Sequence, residues 1–237
     1  TLSNCAIEPE IKDLVNFLNK MGCKIKWKSE RTLEIEGVEK IREINYSVMF
    51  DRIEAGTYLI AAAVTEGNLE IQNIIPKVIK AEINILKKIG SKIIIKKNAV
   101  RIIGSKKIRN MKIKTAPYPG FPTDLQAQIM VLLCKANKNS IIQENIFENR
   151  FMHVAELNRM GAQISIGGNK ALVKGNINFA PAELMATDLR ASVSLVLAAL
   201  AAKGKSVINR IYHLDRGYEN IEVKLKKVGA KIKRVNQ

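Results

Sequence analysis

Thr187-Asp188-Leu189-Arg190-Ala191-Ser192-Val193-Ser194-Leu195-Val196-Leu197-Ala198-Ala199-Leu200 places one acidic residue at the head of a run that is apolar nearly all round. Thr123-Asp124-Leu125 opens a second such run and Asp51 a third. A helix without a polar stripe has to be buried on every side. An Asp at its head predicts an N-cap, because the carboxylate accepts from first-turn N–H groups that lack an intrahelical partner. A second echo runs between these helices: Leu18-Asn19-Lys20-Met21-Gly22, Leu86-Lys87-Lys88-Ile89-Gly90, Leu157-Asn158-Arg159-Met160-Gly161 and Leu225-Lys226-Lys227-Val228-Gly229. Each Gly is followed three residues on by Ile (Ile25, Ile93, Ile164, Ile232), and the Gly steps are 68, 71 and 68. The chain is a tandem repeat of about 70 residues per unit.

One unit reads as an Asp-headed helix (Asp188 to about Lys203), a Gly turn and a strand (Ser206 to Ile211). A second helix follows (Tyr218 to Val228), stopped by Gly229, and then a short strand (Ala230 to Val235). Gly suits the stop because it takes the left-handed conformation most easily. The alternation on either side of Lys97-Asn98 predicts a hairpin, with Gly167-Gly168-Asn169 as the turn of another. The fold class is therefore α/β with buried helices and outer sheets, the reverse of a doubly wound fold. From Asp51 onward the register gives three complete units, so residues 48–237 are expected to form one domain. Residues 1–47 hold one amphipathic helix (Ile11, Leu14, Val15, Leu18, Met21) and a hairpin, the expected tail of another unit and of a preceding domain. On this reading the chain starts in mid-repeat and is a truncated form.

The chain has 237 residues, a net charge of +17 and only 5% aromatic residues, so its core is aliphatic. Its Lys residues are scattered through the repeats and few aromatics interleave with them, which argues against a nucleic-acid interface. A solvated Lys-rich surface or an anionic substrate accounts for the charge. Cys5, Cys23 and Cys134 are unclustered, so reduced thiols are expected and no metal site. The longest apolar run, Ala191 to Ala202, falls short of the ~20 residues that span a bilayer. No signal peptide is readable, and no membrane association is expected.

Three arginines recur at informative places. Arg150, in Ile146-Phe147-Glu148-Asn149-Arg150-Phe151-Met152-His153, is expected on the loop before a helix. Arg216, in His213-Leu214-Asp215-Arg216-Gly217-Tyr218-Glu219, is expected at the equivalent point of the next unit. Arg190 follows Asp188. A guanidinium suits two-point capture of phosphate or carboxylate, and helix N-termini add N–H donors. Each Arg could equally pair with a neighbouring carboxylate. Asp124 and Asp188 read as helix caps or as carboxylates at a cleft mouth, one of them a general base. His153 and His213 are the only imidazoles and read as structural. No Ser-His-Asp triad, P-loop or GxGxxG is present.

Pro122-Thr123-Asp124-Leu125-Gln126-Ala127-Gln128, the Ile146 to His153 stretch, Met185-Ala186-Thr187-Asp188-Leu189-Arg190-Ala191-Ser192 and Asp215-Arg216-Gly217-Tyr218-Glu219 together resemble the UDP-N-acetylglucosamine enolpyruvyl transferase family, in its C-terminal portion. The resemblance implies an inside-out α/β barrel and, without a cofactor, transfer of the enolpyruvyl group of phosphoenolpyruvate to the 3-hydroxyl of UDP-N-acetylglucosamine, a cytoplasmic first committed step of peptidoglycan synthesis. It implies Asp124 as the base beside the hydroxyl and Ile146 in the UDP-sugar site. Arg150, Asp188, Arg190 and Arg216 then line the cleft for phosphoenolpyruvate and departing phosphate, with Arg216 also catalytic. The family's loop acid (Cys or Asp), N-terminal Lys and first-domain Arg residues have no counterpart in this chain. It is therefore expected to need the missing N-terminal part and to be inactive alone. The sister enzyme acting on shikimate 3-phosphate, or a non-catalytic remnant, is the alternative.

Overall fold

The computed structural model describes residues 1–235. It opens with β1 (Leu2–Ser3), α1 (Pro9–Lys20), β2 (Lys24–Ser29) and β3 (Thr32–Glu36), the strands forming an antiparallel sheet in the order β1-β3-β2. Pro9 fits the first helical turn, where its missing N–H costs nothing. Val15, Ile25 and Leu33 make a small core of their own. Residues 37–51 form no helix or strand, yet they are tied to α1. Asp13 accepts from the Tyr46 hydroxyl at 2.8 Å and the Met49 N–H at 3.1 Å, and Arg52 pairs with Glu10 at 2.8 Å.

Three units follow. The first is α2 (Arg52–Val64), β4 (Asn68–Gln72), α3 (Lys80–Ile89), β5 (Lys92–Ile95) and β6 (Ala99–Ile103), with an antiparallel sheet β4-β6-β5. The second is β7 (Lys112–Lys114), a 3-10 turn (Thr123–Leu125), α4 (Gln126–Cys134), β8 (Ser140–Gln143), α5 (His153–Arg159), β9 (Ile164–Gly167) and β10 (Lys170–Val173). Its sheet runs β7-β8-β10-β9, with β7 parallel to β8. The third is β11 (Glu183–Met185), α6 (Leu189–Ala201), β12 (Val207–Asn209), α7 (Tyr212–Asp215) and α8 (Ile221–Lys227), with β11 parallel to β12. All four repeated glycines are left-handed: Gly22, Gly90, Gly161 and Gly229 have φ of 108°, 124°, 88° and 102°.

The inverted layering is as the sequence indicated. Every residue of α4 is buried, and only Glu54 and Tyr58 of α2 escape full burial. One core joins α2, α4 and α6 to the inner faces of the sheets. The third unit departs from expectation in two ways. The helix expected over Tyr218 to Val228 is shortened to Ile221–Lys227, because Asn220 takes φ +48° and helical geometry begins only after it. Residues Ala230 to Val235 form no strand. The equivalent strands β5 and β9 each pair with the strand after them, and among the described residues no strand pairs with 230–235. Arg234 instead turns to Asp215 and Glu222, at 2.6–3.2 Å.

At Gly56, α2 packs closely against the 3-10 turn before α4. A Cβ there would lie 2.4 Å from Cδ1 of Leu125, which is fully buried. Gly56→Ala gains about 1 kcal/mol of helix propensity and loses about 1–3 kcal/mol to overpacking. The variant should therefore melt lower than wild type by thermal denaturation, although Ala is the better helix former.

Candidate functional site

The three helix heads do not behave alike. Asp51 caps α2, its carboxylate accepting from the N–H groups of Ile53 (2.7 Å) and Glu54 (2.9 Å). Asp188 caps α6 in the same way, from Arg190 (2.8 Å) and Ala191 (2.9 Å). Asp124 does not cap. It lies inside the 3-10 turn that follows Pro122, where no side-chain cap forms. Its Oδ1 instead accepts from Arg150 Nη2 at 2.6 Å and pairs with Arg190 Nε at 3.1 Å. The cap reading thus holds for Asp188 and fails for Asp124, whose carboxylate is left for charged partners.

Burial alone would raise the Asp124 pKa, but the contact with Arg190 and its charge, then those of Arg150, hold it below the usual carboxylate range. Burial would likewise lower Arg190, and Asp124 outweighs it, so Arg190 titrates above its ordinary value. Arg150 also lies over the Phe147 ring, 4.8 Å from its centroid.

The loop carrying Ile146, Phe147 and Arg150 hangs from one buried carboxylate. Glu144, at the end of β8, accepts from the hydroxyls of Thr115 and Thr123, both at 2.8 Å, and from the N–H groups of Ile146 (2.8 Å) and Phe147 (3.2 Å). Thr123 is the neighbour of Asp124, so the same anchor sets both sides of the Asp124–Arg150 pair. Outside it is an open cavity of about 870 Å³, lined by the 144–152 loop and by Ile166, Gly168 and Asn169 of the β9–β10 hairpin. Ile146, Phe147 and Met152 are exposed in it.

His153, at the start of α5, is 3% exposed. Burial pushes its pKa down to about 4, against the charge of Asp188 and with that of Arg150. It is neutral near pH 7, which suits a structural role. Arg216 does not start a helix but follows the short α7, exposed to solvent. No ion pair joins it to the described residues, and no contact joins it to Asp124. It is nevertheless adjacent to the head of α6, since a Cβ on Gly217 would come within 2.9 Å of Leu189 Cδ2. Asp124, Arg150 and Arg190 are therefore in direct contact, with Asp188 capping the helix that carries Arg190. Arg216 stands beside that helix, and Ile146 on the cavity wall.

Although Gln128 and Tyr218 stand in two of the quoted motifs, sequence reasoning assigned no role to Glu144, Thr57, Gln128 or Tyr218. The last three form a buried hydrogen-bonded set. Their one signal was polarity inside apolar stretches, as in Gln126-Ala127-Gln128. Among the described residues no group of three His, Cys, Asp or Glu is placed to hold a metal ion, and no helix is long and apolar enough to cross a membrane.

Residues 1–225 match the family model of EPSP synthase (3-phosphoshikimate 1-carboxyvinyltransferase). Two curated relatives are the UDP-N-acetylglucosamine 1-carboxyvinyltransferases of Pelagibacter ubique, 78% identical, and Geotalea daltonii, 53% identical, each over 236 residues. Both alignments cover 100% of this chain, which spans 57% of the length of either relative. The enolpyruvyl transferase NikO of Streptomyces tendae superposes with a TM-score of 0.88 at 27% identity, over 98% of this chain and 55% of that one. An EPSP synthase of Acinetobacter baumannii shares the fold, with a TM-score of 0.73 at 18% identity over 94% of this chain and 55% of its own.

The lowered Asp124 pKa fixes a sign. A carboxylate held below its unfolded value of about 3.9 contributes stability above that pH and loses it as pH falls through the folded value. Asp124→Asn should cost about 1 kcal/mol at pH 7, because two partly buried guanidinium groups lose their counter-ion. It should also flatten the fall in melting temperature below pH 4. A melting curve against pH as steep in the variant as in wild type would contradict this.

Proposed function

The chain belongs to the family of EPSP synthase (3-phosphoshikimate 1-carboxyvinyltransferase), and from that membership we propose that it carries part of the machinery transferring an enolpyruvyl group from phosphoenolpyruvate to UDP-N-acetylglucosamine. The observation that carries the reading is the Asp124 carboxylate held between Arg150 and Arg190, with Arg150 also on the wall of an open cavity. Such a cluster offers one group that can accept a proton and two that can grip an anion. The names of the relatives at 78% and 53% identity support the UDP-sugar as acceptor, whereas the likeness to EPSP synthase at 18% supports the fold alone.

In the proposed reaction the 3-hydroxyl oxygen bonds to C2 of phosphoenolpyruvate as C3 takes a proton, giving a tetrahedral ketal. Loss of that C3 proton with expulsion of phosphate restores the double bond. Asp124 accepts the hydroxyl proton. Arg150, Arg190 and Arg216 hold the phosphate and carboxylate, where fixed donors cost no reorganisation as charge shifts. Ile146 contributes an apolar wall for the UDP-sugar. The C3 proton comes, as the family resemblance implies, from a residue outside this chain. With both guanidinium groups on its carboxylate Asp124 is a poor base, because they stabilise its charged form. Substrate anions that share the same donors in place weaken that hold and raise its proton affinity. We further read residues 1–47 as the tail of a neighbouring domain and 48–237 as the second domain. The setting is cytoplasmic peptidoglycan synthesis, and through it cell-wall biogenesis, cell shape and division.

Phosphate release from phosphoenolpyruvate should be measured with UDP-N-acetylglucosamine, for this chain alone and with a polypeptide matching the part of the relatives it does not cover. Turnover should appear only with the supplied part, and shikimate 3-phosphate should not replace the UDP-sugar. Turnover by the chain alone, or with shikimate 3-phosphate, overturns the reading. In the active form Asp124→Asn should lower turnover about 10²–10⁴-fold, with a smaller change in KM for the UDP-sugar. Arg216→Lys should lower turnover too, since an ammonium cannot reproduce the planar two-point grip.

A further inference from the structure

Tyr218 lies two residues beyond Arg216 and is 1% exposed. Its hydroxyl is 2.8 Å from Thr57 Oγ1 on α2. Gln128 on α4 donates through Nε2 to the same Thr57 oxygen at 3.2 Å and to the main-chain carbonyl of Asp124 at 2.9 Å. Thr57 spends its one proton on the carbonyl of Ile53, at 2.8 Å. Its oxygen then has two lone pairs and no further proton. The directions follow: Tyr218 O–H donates to Thr57, and Gln128 donates to Asp124 and to Thr57, with the Tyr218 oxygen also in reach of its amide at 3.4 Å. Burial raises the Tyr218 pKa, with the charge of Arg190 acting the other way, so the hydroxyl keeps its proton near neutral pH.

We propose that Tyr218 is a positioning residue for Asp124, acting through Thr57 and Gln128 to fix the 3-10 turn that presents the carboxylate to Arg150 and Arg190. Asp124 lacks the cap bonds that hold Asp51 and Asp188 in place, so its main chain needs another restraint. The Gln128 bond to the Asp124 carbonyl is that restraint, and Thr57 with Tyr218 orients the Gln128 amide. One phenol thereby joins all three units, since it follows α7 of the third and bonds to α2 and α4 of the other two. A second consequence is that Arg216 and Asp124 share an anchor although no contact links them. Geometry tolerances of about 0.5 Å in catalytic constellations make such a restraint matter for rate.

The proposal rests on the reading of Asp124 as the base, and its test separates the two. In the protein that shows the transfer, Tyr218→Phe should lower turnover about 5- to 30-fold with little change in KM for the UDP-sugar, as expected for a small misplacement of a reacting group. In an Asp124→Asn background the same substitution should lower turnover less than about twofold, because coupled residues are not additive. Equal losses in the two backgrounds, or no loss in the first, overturn the proposal. Independently of any substrate, the Asp124 carboxyl titration followed by carbon NMR should move upward in Tyr218→Phe, as its contacts with Arg190 and Arg150 loosen. An unmoved titration also overturns the proposal. If wild type transfers nothing to the UDP-sugar, the function fails and the titration alone decides the positioning role.

Discussion

Three helices with no polar face have to shield one another, and that requirement arranges the rest of the molecule. Packing α2, α4 and α6 together removes most of their side chains from water, and burial of apolar area is the dominant favourable contribution to folding. It also gathers the first turns of the helices, where N–H groups lack partners. Asp51 and Asp188 satisfy two of these turns from within their own chain segments. Around the third, the protein places arginines and a free carboxylate. The polar cluster is thus a by-product of how the core has to close.

The repeat, the buried helices, the outer hairpins and the stopping glycines were legible because each is written in local sequence. Glycine at a left-handed position and an apolar run without a polar stripe leave one plausible structure. The role of Asp124 was legible only in part. Its tripeptide is the same as that of Asp188, and the difference arises from the 3-10 turn after Pro122 and from Arg150, 26 residues away. Local sequence cannot announce a partner of that kind. Thr57, Gln128 and Tyr218 were illegible for the same reason, being separated by 71 and 90 residues along the chain. The strand expected over 230–235 is absent, and Arg234 there pairs with Asp215 and Glu222 instead.

The third unit differs most from the other two. Among the described residues its sheet is the parallel pair of β11 and β12, and its second helix begins only at Ile221. The segment between α7 and α8 nonetheless carries Arg216, Gly217 and Tyr218, which meet solvent, Leu189 and Thr57 respectively. Arg234 binds Asp215 and Glu222 from the outside.

Asp124 also makes the resting cluster carry its own counter-ion. Two neighbouring guanidinium groups would otherwise condense small anions from solution. With the carboxylate in place, a monovalent ion gains little by entering, because it must displace a tethered charge of the same sign whose effective concentration is set by a covalent chain. A ligand bearing two or more negative charges, and long enough to engage both arginines together, does not face the same handicap. The cluster therefore discriminates by valence and span before any group of the ligand is recognised in detail.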